Sequence, residues 1–412
     1  MKIDDKTSHN SPSLRFPEFT GEWKYFSIND VCSEFKSGKN IKADLISSNG
    51  NFPVYGGNGL RGYTSSYNHD GLYVLIGRQG ALCGNVRSVF GKIYITEHAI
   101  AVAGNEKSDT NFLHYLFLKM NLGQYSDQSA QPGLAVNKLL KLKVLLPSIS
   151  EQIKIAKLLS LLDERIAVQS RLIDRLQSLM IGIAQKIAHS NKPNVRISDC
   201  LECSSSALQE SEVNKTGKYP VYGANGIVGY IDKYHTQNEA IYIIKDGSGV
   251  GGVSYVTGKC SSTGTLNILQ AKNGHSLKYL YYLLKVFNFV PYKTGMAIPH
   301  IYFKDYGKAK IFCPAYPEQL EYAKLLSSID GNLRIALDSL KNFNLQKQYL
   351  LRHMLIYTFD GVGIAVEYYS IQVLLFRPVS FQLYNPTLQK CVFDYPMTEV
   401  LYLLSRNPPY KD

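Results

Sequence analysis

The sequence predicts an α+β protein in which one plan is used twice. Two globular, β-rich domains are each followed by a long helix, and the two helices pack as an antiparallel coiled coil with pseudo-two-fold symmetry. Three observations predict it. Residues 52–63 read FPVYGGNGLRGY and residues 219–230 read YPVYGANGIVGY, eight identities in twelve at an offset of 167. Stretches rich in Gly, Tyr and β-branched residues carry short apolar runs of strand character. Between and after them, apolar residues recur at alternating steps of three and four over about 40 residues, the period of a helix seam.

The repeat extends well beyond its best-matched segment. The same offset pairs Gly80 with Gly247, Gly91-Lys92 with Gly258-Lys259, Thr96 with Thr263, Pro132 with Pro299, Pro147 with Pro314, and Glu151-Gln152 with Glu318-Gln319. A period this long is a domain, not one turn of a solenoid. The resulting boundaries are 14–147 and 191–317 for the globular parts, 148–190 and 318–356 for the helices, and 357–412 for an extension with no counterpart and no assigned role. Strands are expected at Leu72 to Ile76, Lys92 to Ile95 and Ala240 to Ile244. One helix is expected near the end of each globular part, at Asn111 to Met120 and at Ser276 to Phe287.

The first seam runs through Leu159, Leu162, Ile166, Gln169, Ile173, Leu176, Met180, Ile183 and Ile187. The second runs through Leu326, Ile329, Leu333, Ala336, Leu340, Phe343, Lys347, Leu350 and Met354. Each has one polar interruption. Such a helix is roughly 60 Å long, too long for a domain of about 130 residues to cover, so the two seams are expected to cover each other. Asn191-Lys192-Pro193-Asn194 ends the first helix and opens the second copy. Because that copy must return along the first, the pair is antiparallel.

Composition narrows the function. At 45% hydrophobic and 12% aromatic residues the chain is too apolar for disorder. Its formal charge of +12 sits in two blocks, with 16 basic against 12 acidic residues over 1–147 and 14 against 8 over 191–317, while the helices are nearly balanced. A polyanionic partner for the globular parts is implied. No targeting segment is read at the N-terminus, and the longest apolar run, Gly361 to Phe376, is short for a bilayer and contains Glu367. A soluble, cytoplasmic protein without a membrane partner is expected. The seven cysteines are scattered, and the only close pair, Cys200 and Cys203, lacks a second pair at zinc spacing, so reduced thiols and no metal are expected.

Two motifs fail their context tests. Gly247 to Gly252 fits GxGxxG, but the strand-like Val253 to Val256 follows where a dinucleotide site needs a helix. Asn407-Pro408-Pro409-Tyr410 looks like the catalytic motif of adenine-amino methyltransferases, yet only two residues follow it and no cofactor loop accompanies it. The nine histidines form no metal or triad spacing.

The opening LRFPEFTGEWKYFSINDV, the PVYGGNG and PVYGANG segments, IGRQG and IKDG, and the helix starts LPSISEQIKIAKLLSLLDERI and CPAYPEQLEYAKLLSSIDGNL together resemble the specificity subunit of type I restriction-modification systems. The resemblance covers residues 14 to about 356. It implies two target-recognition domains, each reading one half of a split double-stranded DNA sequence, and two spacer helices. It also implies a subunit without a catalytic centre that docks two methyltransferase subunits and, through them, the restriction motor-nuclease. S-adenosylmethionine, ATP and Mg would belong to those partners, leaving no cofactor here. The competing enzyme reading is a self-contained DNA methyltransferase or nuclease with a duplicated DNA-binding region, for which no cofactor or metal-carboxylate domain is found. A third reading, a scaffold holding an acidic protein, need not show salt-dependent DNA binding.

Candidate DNA-binding residues come from the matched segments. Tyr55, Asn58, Tyr63, Tyr222, Asn225, Tyr230 and Lys233 lie in or beside the paired Gly-rich loops, where likeness between copies favours scaffold or phosphate positioning over base reading. Arg61, which faces Val228, suits half-specific reading. Arg78-Gln79 faces Lys245-Asp246, and these pairs present different hydrogen-bonding patterns to base edges, with solvated surface pairs as the plain alternative. Lys92 and Lys259 suit phosphate contacts or are ordinary hairpin-turn lysines.

Overall fold

In a computed structural model of the protein, residues 11–127 and 132–356 are described; His9, the extension 357–412, its apolar run and Asn407 to Tyr410 lie outside them. Among these residues the chain forms two compact units. The first runs to Asp163 and takes in the chain again from Leu345, and the second is Glu164–Asn344.

In chain order the first copy comprises β1 (Lys24–Ser27), α1 (Ile28–Val31), β2 (Cys32–Ser37), β3 (Phe52–Gly56), β4 (Gly59–Thr64), β5 (His69–Gly77), β6 (Val86–Ile95) and β7 (Ala99–Gly104). It continues with α2 (Thr110–Met120), α3 (Val136–Leu140), β8 (Lys143–Leu146) and the long α4 (Ile149–Ala188). The second copy repeats the plan with β9 (Val195–Arg196), α5 (Ile197–Cys200), β10 (Leu201–Ser205), β11 (Tyr219–Gly223), β12 (Gly226–Ile231), β13 (Glu239–Ile244), β14 (Val253–Thr257), β15 (Ser261–Ser262) and β16 (Leu266–Ala271). Then come α6 (Leu277–Val286), α7 (Phe303–Tyr306), β17 (Lys310–Ile311) and the long α8 (Tyr316–Met354).

Six strands of the first copy form one sheet in the order β2-β7-β5-β6-β3-β4, antiparallel except for β3 beside β6, where Val54 faces Tyr94. In the second copy the same path is divided into a four-stranded sheet, β10-β16-β13-β14, and a three-stranded one, β12-β11-β15. The reason is local. In the first copy Gly71 (φ 127°) faces Gly91 (φ 103°), and glycine's freedom lets both strands run through the kink. In the second, Asn238 stands opposite Gly258 and the ladder stops, so β6 has two shorter counterparts.

Each globular core forms around one capped helix. Asp109 accepts from Phe112 N at 2.8 Å to start α2, which buries Phe112, Leu113, Leu116, Phe117 and Met120 in a core shared with Val74, Ile76, Ile100 and Val102. Ser276 caps α6 in the same way. That helix buries Tyr279 and Tyr282, whose hydroxyls donate to Phe312 O at 3.0 Å and Ser327 Oγ at 3.3 Å.

The long helices run antiparallel. In the first unit Ile155, Ala156 and Leu159 of α4 pack with Leu350, Leu351 and Met354 at the far end of α8. In the second, Ile173, Leu176, Met180, Ala184 and Ile187 pack with Ala323, Leu326, Ile329, Leu333, Ala336 and Leu340. Leu162 is also buried, and Ile166 and Phe343 are half-buried. Both polar interruptions have partners across the pair. Gln169 Nε2 donates to Ala336 O at 3.0 Å, and Lys347 Nζ meets Asp163 Oδ1 at 2.5 Å while covering the Tyr115 ring.

The repeated Glu-Gln at each helix start joins helix to globular part. Gln152 accepts from Asp109 N at 2.9 Å and donates to Lys107 O and Pro147 O. Gln319 accepts from Ser276 N at 2.9 Å and donates to Pro314 O at 2.8 Å. Both are buried. The neighbouring glutamates differ. Glu151, 1% exposed, takes a bidentate bond from Arg15 at 2.7 Å on each oxygen, whereas Glu318 is exposed and accepts from the Tyr322 hydroxyl.

Candidate nucleic-acid interface

The paired Gly-rich segments, expected as loops, are β-hairpins. Strands β3 and β4 turn at Gly57-Asn58, and β11 and β12 turn at Ala224-Asn225, each with a register shift beside the tyrosine, at Val54/Tyr55 and at Val221/Tyr222. That irregularity is a β-bulge, which bends a strand and re-aims the side chains beyond the bend. Tyr55 and Tyr222 are half-buried against the sheet, and their carbonyls accept from Thr96 N and Thr263 N, both at 2.9 Å. Burial lifts the Tyr222 phenol above its ordinary pKa, so it stays neutral. The tips, Asn58 and Asn225, are exposed. Arg61 and Val228 occupy the same place: a Cβ on Gly56 would lie 2.8 Å from Arg61 Cδ, and one on Gly223 would lie 2.7 Å from Val228 Cγ1. One copy thus shows a cation where the other shows an apolar branch.

Beside the hairpin stands a second shared frame. In the first copy Arg78 N donates to His98 O, Leu134 N to Arg78 O, and Gly80 N to Pro132 O, at 2.9, 2.9 and 3.0 Å. In the second, Lys245 N donates to Thr265 O, Ile301 N to Lys245 O, and Gly247 N to Pro299 O, at 3.0, 2.9 and 3.0 Å. Identical main-chain bonds therefore present Arg78-Gln79 in one copy and Lys245-Asp246 in the other. Each second residue meets a histidine: Gln79 Oε1 lies 3.0 Å from His98 Nδ1, and Asp246 Oδ1 lies 2.7 Å from His300 Nδ1. The first hairpin tip abuts its frame, because a Cβ on Gly57 would lie 2.7 Å from His98 O. Arg87 joins this group, its guanidinium standing beside Gly59. Sequence reasoning missed it, and the signal was its mismatch with Ser254 in the other copy.

Other candidates lie elsewhere. Lys92 is not in a turn but inside β6 opposite Asp70, with Nζ 5.1 Å from the centre of the Tyr67 ring; Lys259 lies in the break before β15, 4.9 Å from Tyr234. Those rings pack in turn on Phe52 and Tyr219, at the hairpin base, about 13 Å from the tip at 3.3 Å per residue. Tyr63 and Tyr230 are in that half too, tied by main-chain bonds to Ser47 and Asn214. Lys233 comes next in the chain, exposed, with its carbonyl accepting from Ser261 Oγ. The candidates thus form a tip group in which Arg61, Arg78 and Gln79 differ from their counterparts around like Asn58 and Asn225, and a base group that is alike except at Lys233, whose counterpart is Ser66.

The sequence matches the family described as type I restriction modification DNA specificity domain twice, over residues 20–178 and 190–342. The chain belongs to that family. It is 42% identical over 154 residues to the type I restriction enzyme EcoprrI specificity subunit of Escherichia coli, a match spanning 36% of this chain and 38% of that subunit. To a putative type I restriction enzyme specificity subunit of Haemophilus influenzae it is 24% identical over 368 residues, 80% of this chain and 95% of the relative. The fold is that of the type I system S subunit from M. genitalium, with a TM-score of 0.69 at 18% identity over 85% of this chain and all of the other. DNA target recognition is the role of a member of this specificity family, and the reading as a self-contained methyltransferase or nuclease is set aside. Its partners are DNA and the other subunits of a type I restriction-modification complex. Among the described residues no helix is long and apolar enough to cross a membrane.

Proposed function

We propose that residues 14–147 and 191–317 each read one half of a split duplex DNA site, that the helices of 148–190 and 318–356 fix the spacing between halves, and that two methyltransferase subunits dock on this chain and bring the restriction motor-nuclease with them. S-adenosylmethionine, ATP and Mg belong, in this reading, to those partners. The observation that carries it is the shared frame with unlike occupants. Arg78 suits a bidentate pairing with guanine O6 and N7, and Gln79 suits adenine, whereas Lys245 donates from a point and Asp246 accepts from cytosine N4. A frame kept constant with its readers changed is what two unlike half-sites require. The base group, alike in both copies except at Lys233, suits phosphate contacts that set register without reading sequence.

Two equivalent partner sites have their own support. Ile149 and Ile153 at the start of α4, and their counterparts Tyr316 and Leu320 at the start of α8, are all between 42% and 51% exposed. Large apolar side chains left in water at matching places suit two copies of one partner. Methylome sequencing of cells expressing the chain with its methyltransferase tests the function. Exchange of residues 14–147 for those of a relative is expected to change one half of the methylated motif and leave the other. A change in both halves together would show that the copies do not read independently.

A further inference from the structure

Three positions of the second copy change character together relative to the first. In the first copy Asn105 N donates to Val31 O and Ser108 N to Asn105 O, at 3.1 Å each. The same two bonds recur as Lys272 N to Cys200 O at 2.9 Å and His275 N to Lys272 O at 3.2 Å. Leu146 and Cys313 correspond as well, each directly before the proline that precedes a long helix. One main-chain frame therefore carries Val31, Ser108 and Leu146 in one copy and Cys200, His275 and Cys313 in the other. The first set is an ordinary core corner, with Val31 and Leu146 buried and the Ser108 hydroxyl satisfied by Val31 O. The second set is two cysteines and a histidine, side chains of the kinds that ligate metals.

Their geometry suits an ion. The two sulfurs and a ring nitrogen of His275 all lie within 4.8 Å of one another, and Cys313 Sγ stands 3.5 Å from His275 Nδ1. With Zn–S near 2.3 Å and Zn–N near 2.05 Å, a tetrahedral S-to-N edge comes to about 3.6 Å. The ligands are held from outside. Asn194 accepts from Cys313 N at 2.8 Å and donates to Cys313 O at 2.7 Å, clamping that residue's main chain, and its counterpart in the first copy is the exposed Tyr25. Cys200 and Cys313 are 0% and 7% exposed, while His275 is half-buried.

We propose that Cys200, His275 and Cys313 bind one zinc ion through two thiolates and Nδ1, with water in the fourth position. Binding releases the two thiol protons and ties three segments that are distant in sequence: the end of α5, the turn before α6 and the entry to α8. Two thiolates and an imidazole select a borderline-soft ion over Mg or Ca. The site is a staple of the second copy alone.

Elemental analysis of the full chain purified under reducing conditions is expected to find one zinc per chain. Exchange with Co²⁺ is expected to give the visible and near-ultraviolet bands of thiolate-bound cobalt. Cys203→Ser is expected to keep both signals, and His275→Asn to weaken metal retention. The triple variant Cys200→Val, His275→Ser, Cys313→Leu, which installs the residues of the first copy, is expected to fold by circular dichroism, bind no Co²⁺ through thiolate, and lack the chelator sensitivity of thermal unfolding expected of the parent. A chain that takes up no Co²⁺ with thiolate bands, a triple variant that binds as the parent does, or a metal-free Cys200–Cys313 disulfide as the resting state would each overturn the proposal.

Discussion

The two copies bury like cores and share a main-chain frame, yet one carries a continuous six-stranded sheet and the other a sheet in two pieces. A pair of facing glycines, Gly71 and Gly91, accounts for the continuity, and Asn238 opposite Gly258 for its loss. The hairpins, the frame around residues 78 and 245 and the glutamine joints nonetheless correspond, save that Gln152 makes one further bond, to Lys107 O. Sheet continuity is therefore dispensable to the plan, and local main-chain bonds define it. Side chains mounted on those bonds are free to differ, as Arg61 does from Val228.

The largest predicted asymmetry lies at the helix starts. Arg15→Ala strands the buried Glu151 carboxylate and is expected to destabilise the first unit by about 3–5 kcal/mol, while Glu318→Ala, on an exposed group, stays within about 0.5 kcal/mol. Chemical denaturation of both variants measures this, and equal effects would break the comparison. Next comes acid. Burial, helped by Lys347 and opposed by Asp163, holds His114 down at about 4, and its Nδ1 has no hydrogen-bond partner. A neutral histidine in the fold gains its proton more readily when unfolded, so stability is full above the ordinary value of 6.5 and is lost as pH falls toward 4, by about 2 kcal/mol near pH 5. In the second copy this position is Tyr281, whose phenol burial pushes up to about 12. His114→Tyr should therefore remove this loss, seen as a flatter stability curve between those pH values.

Smaller effects concern DNA. Arg78→Ala is expected to weaken binding by about 1–3 kcal/mol and to relax one half-site only, read from binding to singly mismatched duplexes; loss at both halves would contradict separate reading. Lys92→Met and Lys259→Met are expected to weaken all sequences alike and each reduce the salt slope by about 1. An unchanged slope would leave those amines as covers for Tyr67 and Tyr234 and nothing more.

Much of the molecule is legible in the sequence because duplication supplies its own alignment. The offset of 167 locates the hairpins, the paired prolines and the Glu-Gln joints, and the three-four spacing locates the seam. What the spacing does not show is the purpose of its interruptions: Gln169 and Lys347 are explained only by Ala336 O and Asp163, which no local pattern predicts. Lys92 reads as a possible turn residue because Gly91 signals a turn, whereas a second glycine across the ladder converts that signal into a kink within a strand. Cys200, His275 and Cys313 escape motif reading because they come from three segments distant in sequence. Setting Val31, Ser108 and Leu146 beside them exposes the change, but that correspondence is defined by hydrogen bonds rather than by resemblance.

Gln152 and Gln319 grip main-chain atoms only: the amides of Asp109 and Ser276 and the carbonyls of Pro147 and Pro314. A coupling that never consults a side chain on the globular side is blind to that domain's sequence. Mutation can rewrite the side chains of the globular part, and these two joints still find their main-chain partners. The two glutamines are in that sense a clamp indifferent to the head it holds, whereas Arg15–Glu151 and Tyr282–Ser327, which join helix to globular part through side chains, must be matched by any replacement.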